Sequence, residues 1–161
     1  AEKQFQQYGS RFFLVVAALD HFKALNDSYG HTVGDQALQL VAELLGASVR
    51  ATAGDLVGRL GGEEFGLAIT CNDVVTATRT IERVCHTLAQ SPLKTSSGPI
   101  PVTASFGLAG GSQISVESVD ILYKLADTAC YEAKETGRNR VCAFRGDAKN
   151  DRDSLASVAP A

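Results

Sequence analysis

Asp55-Leu56-Val57-Gly58-Arg59-Leu60-Gly61-Gly62-Glu63-Glu64-Phe65-Gly66-Leu67-Ala68-Ile69-Thr70 is the stretch on which the fold turns. Two short apolar runs flank a pair of glycines and a pair of glutamates. Runs of this length suit strands, and Gly61 and Gly62 supply the positive φ angles that a tight bend requires. The stretch is therefore read as a β-hairpin with charge at its tip. Adjacent carboxylates at a bend read first as a solvated polar turn, and can also present oxygen ligands to a hard divalent cation.

Upstream, residues 12–19 are nearly continuous apolar, which predicts a strand buried on both faces in the middle of a sheet. Asp20 ends it. A short helical segment follows through Phe22, Leu25 and Asn26 to Tyr29, and Gly30 stops it. Residues 31–35 are read as a connection, with Asp35 in the first turn of a helix over 34–50, where a carboxylate would cap exposed N–H groups. Downstream, Val74, Thr78, Ile81, Cys85 and Leu88 recur at helical spacing and predict a helix over 72–90. Residues 93–101, rich in Pro and Gly, predict a loop or a small irregular hairpin. A strand over 102–108, a helix over 116–135 closed by Gly137 and a strand over 141–144 complete the chain. The class is α/β (α+β): a central sheet with helices packed against it.

With 161 residues and 45% hydrophobic content, one domain with a real core is expected. A formal charge of -3 gives no electrostatic footprint for a nucleic-acid polymer. No apolar run approaches the roughly 20 residues of a membrane span, and a soluble, cytoplasmic chain is expected. Cys71, Cys85, Cys130 and Cys142 are too scattered for zinc and read as reduced residues, most of them in the core. Residues 1–11 read as the end of an upstream helix or linker, 12–144 as the domain, and 145–161 as a polar tail that favours disorder.

The phosphate-loop, dinucleotide-binding, zinc-protease and serine-hydrolase signatures are all missing. What remains are polar residues where core elements end. Asp20 ends the first strand, Glu63 and Glu64 lie at the hairpin, and adjacent strands would bring these ends together. Asn26 and Asp35 border the short helix and could each hydrogen-bond a flat polar ring. Lys134 closes the last helix and Arg138 follows it. Taken singly, these two also read as a complement to the helix dipole and a solvated loop charge.

Taken together, the segments Asp20-His21-Phe22-Lys23-Ala24-Leu25-Asn26-Asp27, Gly30-His31-Thr32-Val33-Gly34-Asp35, Gly61-Gly62-Glu63-Glu64-Phe65 and Tyr131-Glu132-Ala133-Lys134-Glu135-Thr136-Gly137-Arg138-Asn139 resemble the GGDEF family of diguanylate cyclases. The resemblance runs over residues 12–144. It implies a mainly antiparallel sheet like that of nucleotidyl cyclases and polymerase palms. It further implies a homodimer of half-sites, each holding one GTP with Mg²⁺ or Mn²⁺, that condenses two GTP into cyclic di-GMP and pyrophosphate. Asn26 and Asp35 would read guanine. Backbone amides around Phe22 and Lys23, with the Lys134 and Arg138 side chains, would hold phosphates. Glu63, Glu64 and the Leu19 carbonyl would serve the metal, and Glu64 would also assist deprotonation of the attacking hydroxyl.

Three features depart from the family pattern. Ala18 stands where a metal-binding Asp is usual. Thr52-Ala53-Gly54-Asp55 lacks the arginine of the usual product-inhibition pair, so no inhibition is expected through Thr52 and Asp55. The segment that usually opens the domain is absent, so a sensory or dimerising region is expected outside this chain, and such a region could tether the full-length protein to the inner membrane. Ala18 also supports an alternative, a degenerate module that binds GTP as a sensor or interaction domain with impaired catalysis.

Overall fold

A computed structural model describes residues 2–3, 6, 11–49, 54–111 and 118–144 of the chain. All eight residues of β1 (Phe12–Leu19) are buried, and a strand covered on both faces belongs inside a sheet. It lies third of five in the order β2-β3-β1-β6-β7. Here β2 is Leu56–Gly61, β3 Glu64–Thr70, β6 Ala104–Gly110 and β7 Arg140–Ala143. Neighbours are antiparallel except β6 with β7, which is parallel. The helices are α1 (Phe22–Tyr29), α2 (His31–Ser48), α3 (Val74–Ala89) and α4 (Val119–Glu135). The expected sheet with flanking helices is the architecture found.

Alternate residues of β1 serve opposite cores, because successive side chains of a strand point to opposite faces. Phe13, Val15, Ala17 and Leu19 pack with Val41 and Leu45 of α2 and with Ile81 and Leu88 of α3. Phe12, Leu14, Val16 and Ala18 pack with Leu122, Leu125, Ala126 and Cys130 of α4. Each large side chain taken fully out of water contributes about 1.5–3 kcal/mol, so β1 fixes both layers at once. On the α4 side the approach is close. A Cβ at Gly107 of β6 would overlap the Ala126 carbonyl oxygen and the Cys130 amide nitrogen.

Several boundaries differ from those expected, each for a local reason. Helix α2 begins at His31, so residues 31–33 are its first turn and not a connection. Gly30, at φ 87, is both the C-cap of α1 and the N-cap of α2, and its positive φ turns the chain within one residue. Asp35 therefore lies in the second turn of α2 and does not cap it. In α3 the buried stripe runs through Ala77, Ile81, Val84, Cys85 and Leu88, while Val74 and Thr78 are half-buried. Residues 93–101 do form a small hairpin, of β4 (Leu93–Thr95) and β5 (Gly98–Ile100). The next strand starts later than expected because its register with β1 begins at Leu19↔Ala104. Ser118 caps α4, its Oγ accepting from the Ile121 amide at 3.3 Å; the expected start at 116 lies outside the described residues. So do Thr52 and the tail 145–161. Among the described residues no helix is long and apolar enough to cross a membrane.

Candidate active site

The site is built on the C-terminal end of β1. The β1–β3 register sets Glu64 opposite Ala18, and the Leu19 amide donates to the Glu63 carbonyl at 3.2 Å. The two glutamates do not both sit in the bend, as the sequence suggested. The turn is Gly62 and Glu63, and Glu64 is the first residue of β3. The ladder shifts register between Arg59 and Gly61, and Gly61 and Gly62 adopt φ 145 and 51. The Arg59 guanidinium closes the turn, donating to the Gly62 carbonyl from Nε at 3.1 Å and from Nη2 at 2.7 Å. Sequence reasoning missed Arg59. Its signal was a cation three residues before a hairpin glycine, within reach of the turn carbonyl.

Residue 18 itself is a fully buried alanine. Asp20, two residues on, does not replace the missing carboxylate. Its Oδ2 accepts from Thr103 Oγ1 at 2.7 Å and from the Asn139 amide at 2.9 Å, and its Oδ1 accepts from Ser105 Oγ at 2.6 Å.

Helix α1 follows directly. Its N-cap His21 adopts φ 55 with no side-chain cap, and the first intrahelical bond runs from the Leu25 amide to the His21 carbonyl at 2.9 Å. The amides of Phe22, Lys23 and Ala24 thus have no partner within the helix, an arrangement suited to an anion. Asn26 lies on the side of α1 that meets α2. Its Oδ1 is buried without a hydrogen-bond partner, pressed against Gly34, where a Cβ would overlap it. Asp35 is exposed and lines a cavity of about 420 Å³ between α2 and β2, with Leu38, Gln39, Val57, Arg59 and Phe65. Asn26 does not line that cavity, so the two residues are neighbours across Gly30 without sharing its wall.

At the other side of β1's end, Lys134 lies in the last turn of α4, and Gly137 closes the helix as expected. The Arg138 amide returns to the Ala133 carbonyl at 2.9 Å, the long bond of a glycine-terminated helix. Gly137, Arg138 and Asn139 have φ of 130, 61 and 45. Burial pushes the Cys130 thiol up to about 12; the Lys134 ammonium opposes that shift, and the Asp127, Glu64 and Asp20 carboxylates add to it. Lys134 and Glu64 are therefore within electrostatic reach of one buried point beneath the site.

Among the described residues no three His, Cys, Asp or Glu side chains converge to hold a cation. Magnesium is ordinarily held by one or two carboxylates together with substrate phosphates and water. The donor set of Glu63, Glu64 and the Leu19 carbonyl accordingly fits an ion that arrives with a nucleotide's phosphates. It does not make a free-standing metal site.

Known proteins share this fold. The family described as "Diguanylate cyclase, GGDEF domain" matches residues 1–140. The probable diguanylate cyclase DgcT of Escherichia coli (strain K12) is 40% identical over 132 residues, which is 81% of this chain and 28% of that protein. The chain thus spans well under half the length of that relative. Among solved structures, the GGDEF domain of DgcB from Caulobacter crescentus, in complex with c-di-GMP, is 31% identical. It superposes with a TM-score of 0.79 over 89% of this chain and 84% of that one. The active GGEEF domain of a diguanylate cyclase from Vibrio cholerae is 26% identical, with a TM-score of 0.77 over 89% of each chain. By the match of its sequence to the family along most of its length, and by its fold, this chain belongs to the GGDEF diguanylate cyclase family.

Proposed function

We infer that the chain is one half-site of a diguanylate cyclase, which condenses two GTP into cyclic di-GMP with release of two pyrophosphates. The observation that carries this reading is the Ala18↔Glu64 register. With it, Glu64 stands at the end of β1, the Asn26 and Asp35 helices lie on one side, and Lys134 and Arg138 lie on the other. Asn26 and Asp35 hold the guanine edge, Asn26 donating from its carboxamide nitrogen and the Asp35 carboxylate accepting two N–H donors. The amides of Phe22 and Lys23, with the Lys134 and Arg138 side chains, hold the triphosphate. Glu64 accepts the proton of the 3′-hydroxyl, whose oxygen attacks the α-phosphorus of the GTP on a second copy as pyrophosphate leaves. Glu63, Glu64 and the Leu19 carbonyl would hold Mg²⁺ or Mn²⁺, which would supply charge neutralisation at the transferred phosphoryl group.

Each half-site holds one GTP, so the reaction needs a homodimer, and the rate per protomer rises with protein concentration. A regulatory or dimerising region outside this chain would raise that local concentration. The Asp55 carboxylate is buried and accepts from the Thr70 amide at 3.1 Å. This supports the reading that cyclic di-GMP does not inhibit through Thr52 and Asp55.

Ala18 supports a second reading, a GTP-binding sensor without turnover. Product chromatography after incubation with GTP and Mn²⁺, at several protein concentrations, separates the two. A rate per protomer that climbs with concentration supports the cyclase; GTP bound but never consumed at any concentration supports the sensor.

A further inference from the structure

We propose that Asp20 is a positioning residue for Arg138, fixing the loop between α4 and β7 so that the guanidinium meets the substrate phosphates. The proposal rests on the reading of Arg138 as a phosphate ligand. Arg138 and Asn139 are non-glycine residues at φ 61 and 45, a left-handed conformation that is uncommon for an arginine and more readily adopted by an asparagine. Several contacts hold this pair in place. The Arg138 amide is bound by the Ala133 carbonyl at 2.9 Å, and its carbonyl accepts from Arg140 Nε at 3.1 Å. The Asn139 amide donates to Asp20 Oδ2 at 2.9 Å, and the Asn139 side-chain oxygen accepts from the Cys85 thiol at 3.5 Å.

Asp20 is the one carboxylate in this set, and it directly follows the strand that also carries the metal edge. Thr103, just before β6, and Ser105 within it hold its two oxygens, so the carboxylate reaches Asn139 in a fixed orientation. The same three contacts occupy both oxygens, which sets Asp20 apart from a metal ligand. Loss of the carboxylate would release the loop and cost Arg138 its preorganisation, with no direct loss of a substrate contact.

The carboxamide of Asp20→Asn can keep its oxygen on Thr103 and the Asn139 amide, and turn its NH₂ to the Ser105 hydroxyl, which also accepts. Positioning therefore predicts rescue by Asn, and metal ligation does not. The test is equilibrium binding of GTP and of guanosine in EDTA for wild type, Asp20→Asn, Asp20→Ala, Arg138→Ala and the double Ala variant. Expected is a loss of about tenfold in GTP affinity for Asp20→Ala and for Arg138→Ala, the scale of one charge-assisted hydrogen bond. The double variant should be no weaker than either single one, Asp20→Asn should stay near wild type, and guanosine affinity should not change.

Additive losses, or a loss in Asp20→Asn equal to that in Asp20→Ala, would overturn the positioning role while leaving the phosphate reading intact. An Arg138→Ala variant that binds GTP normally would sink both. Because binding is read without turnover, absence of cyclic di-GMP bears on neither. Should Asp20→Ala fail to fold, hydrogen exchange of the Asn139 amide in the wild type decides: protection is predicted, and rapid exchange contradicts the anchor.

Discussion

Ala18 is the residue at which the family pattern and this chain part. It is fully buried, facing the α4 core, with Glu64 across one strand and Ser105 across the other. A carboxylate placed there meets the Glu64 charge and the desolvating α4 layer. Without metal, Ala18→Asp should therefore lose about 1–3 kcal/mol. On the proposed reading Mg²⁺ would bind only the folded form, and the added ligand would give it more to hold. Thermal melts should show Ala18→Asp below wild type in EDTA and rising further than wild type when Mg²⁺ is added. Equal response in both proteins would mean that position 18 does not face the metal edge.

Asn26 offers a second prediction at this scale. Its Oδ1 is held against Gly34 with no room for a Cβ, so Gly34→Ala should displace the carboxamide and cost about 1–3 kcal/mol of stability or of GTP binding. Loss of preference for GTP over ATP, measured by competition, is the expected signature; an unchanged preference would remove Asn26 from the guanine contact. A third prediction concerns the buried thiols. Burial, with the Asp20 carboxylate adding, pushes Cys85 up to about 11 from an ordinary 9.0. Above the ordinary value the unfolded thiol has lost its proton while the folded one keeps it, so the unfolded state binds fewer protons and stability falls with rising pH. The contribution is intact below pH 9.0 and fades toward about 11. Melting temperatures across this range check it, and Cys85→Ala should flatten the decline.

At the scale of elements, the packing of α4 on β6 has little tolerance. Gly107 lets the helix backbone reach the sheet, and Gly107→Ala would drive a methyl into Ala126 and Cys130 main-chain atoms. Backbone cannot rotate aside, so a loss of about 3 kcal/mol, the upper range for overpacking, is expected in chemical denaturation. A loss below 1 kcal/mol would show that α4 can lift away cheaply. These elements also show what the sequence could and could not reveal. The unbroken apolar run of β1 made its central place legible, since only a doubly covered strand has no polar face. The end of α4 was legible from Gly137. The start of α2 was not, because Gly30 serves as a stop and a start at once, and a one-residue junction leaves no polar connection to read. Nor could spacing reveal the contacts of Asp20. Its partners are a main-chain amide and two hydroxyls on other segments, which leave no pattern in a sequence. The four motifs made the site's membership legible, whereas the separation of Asn26 from the wall of the Asp35 cavity depends on how two helices meet.

The whole molecule presents one edge to its chemistry. β1 ends there, α1 starts there, and the β2–β3 turn and the α4–β7 loop close in from either side. On the proposed reading a single copy holds one set of ligands for one nucleotide, so turnover would require a second copy. The most direct measurement is chromatography of products after incubation with GTP and Mg²⁺ or Mn²⁺, for wild type, Glu64→Ala and Ala18→Asp. The account predicts that wild type forms cyclic di-GMP, that Ala18→Asp forms it faster, and that Glu64→Ala forms none. Wild type yielding no product while Ala18→Asp does would contradict it, and would make this chain a GTP-binding module that has lost its reaction.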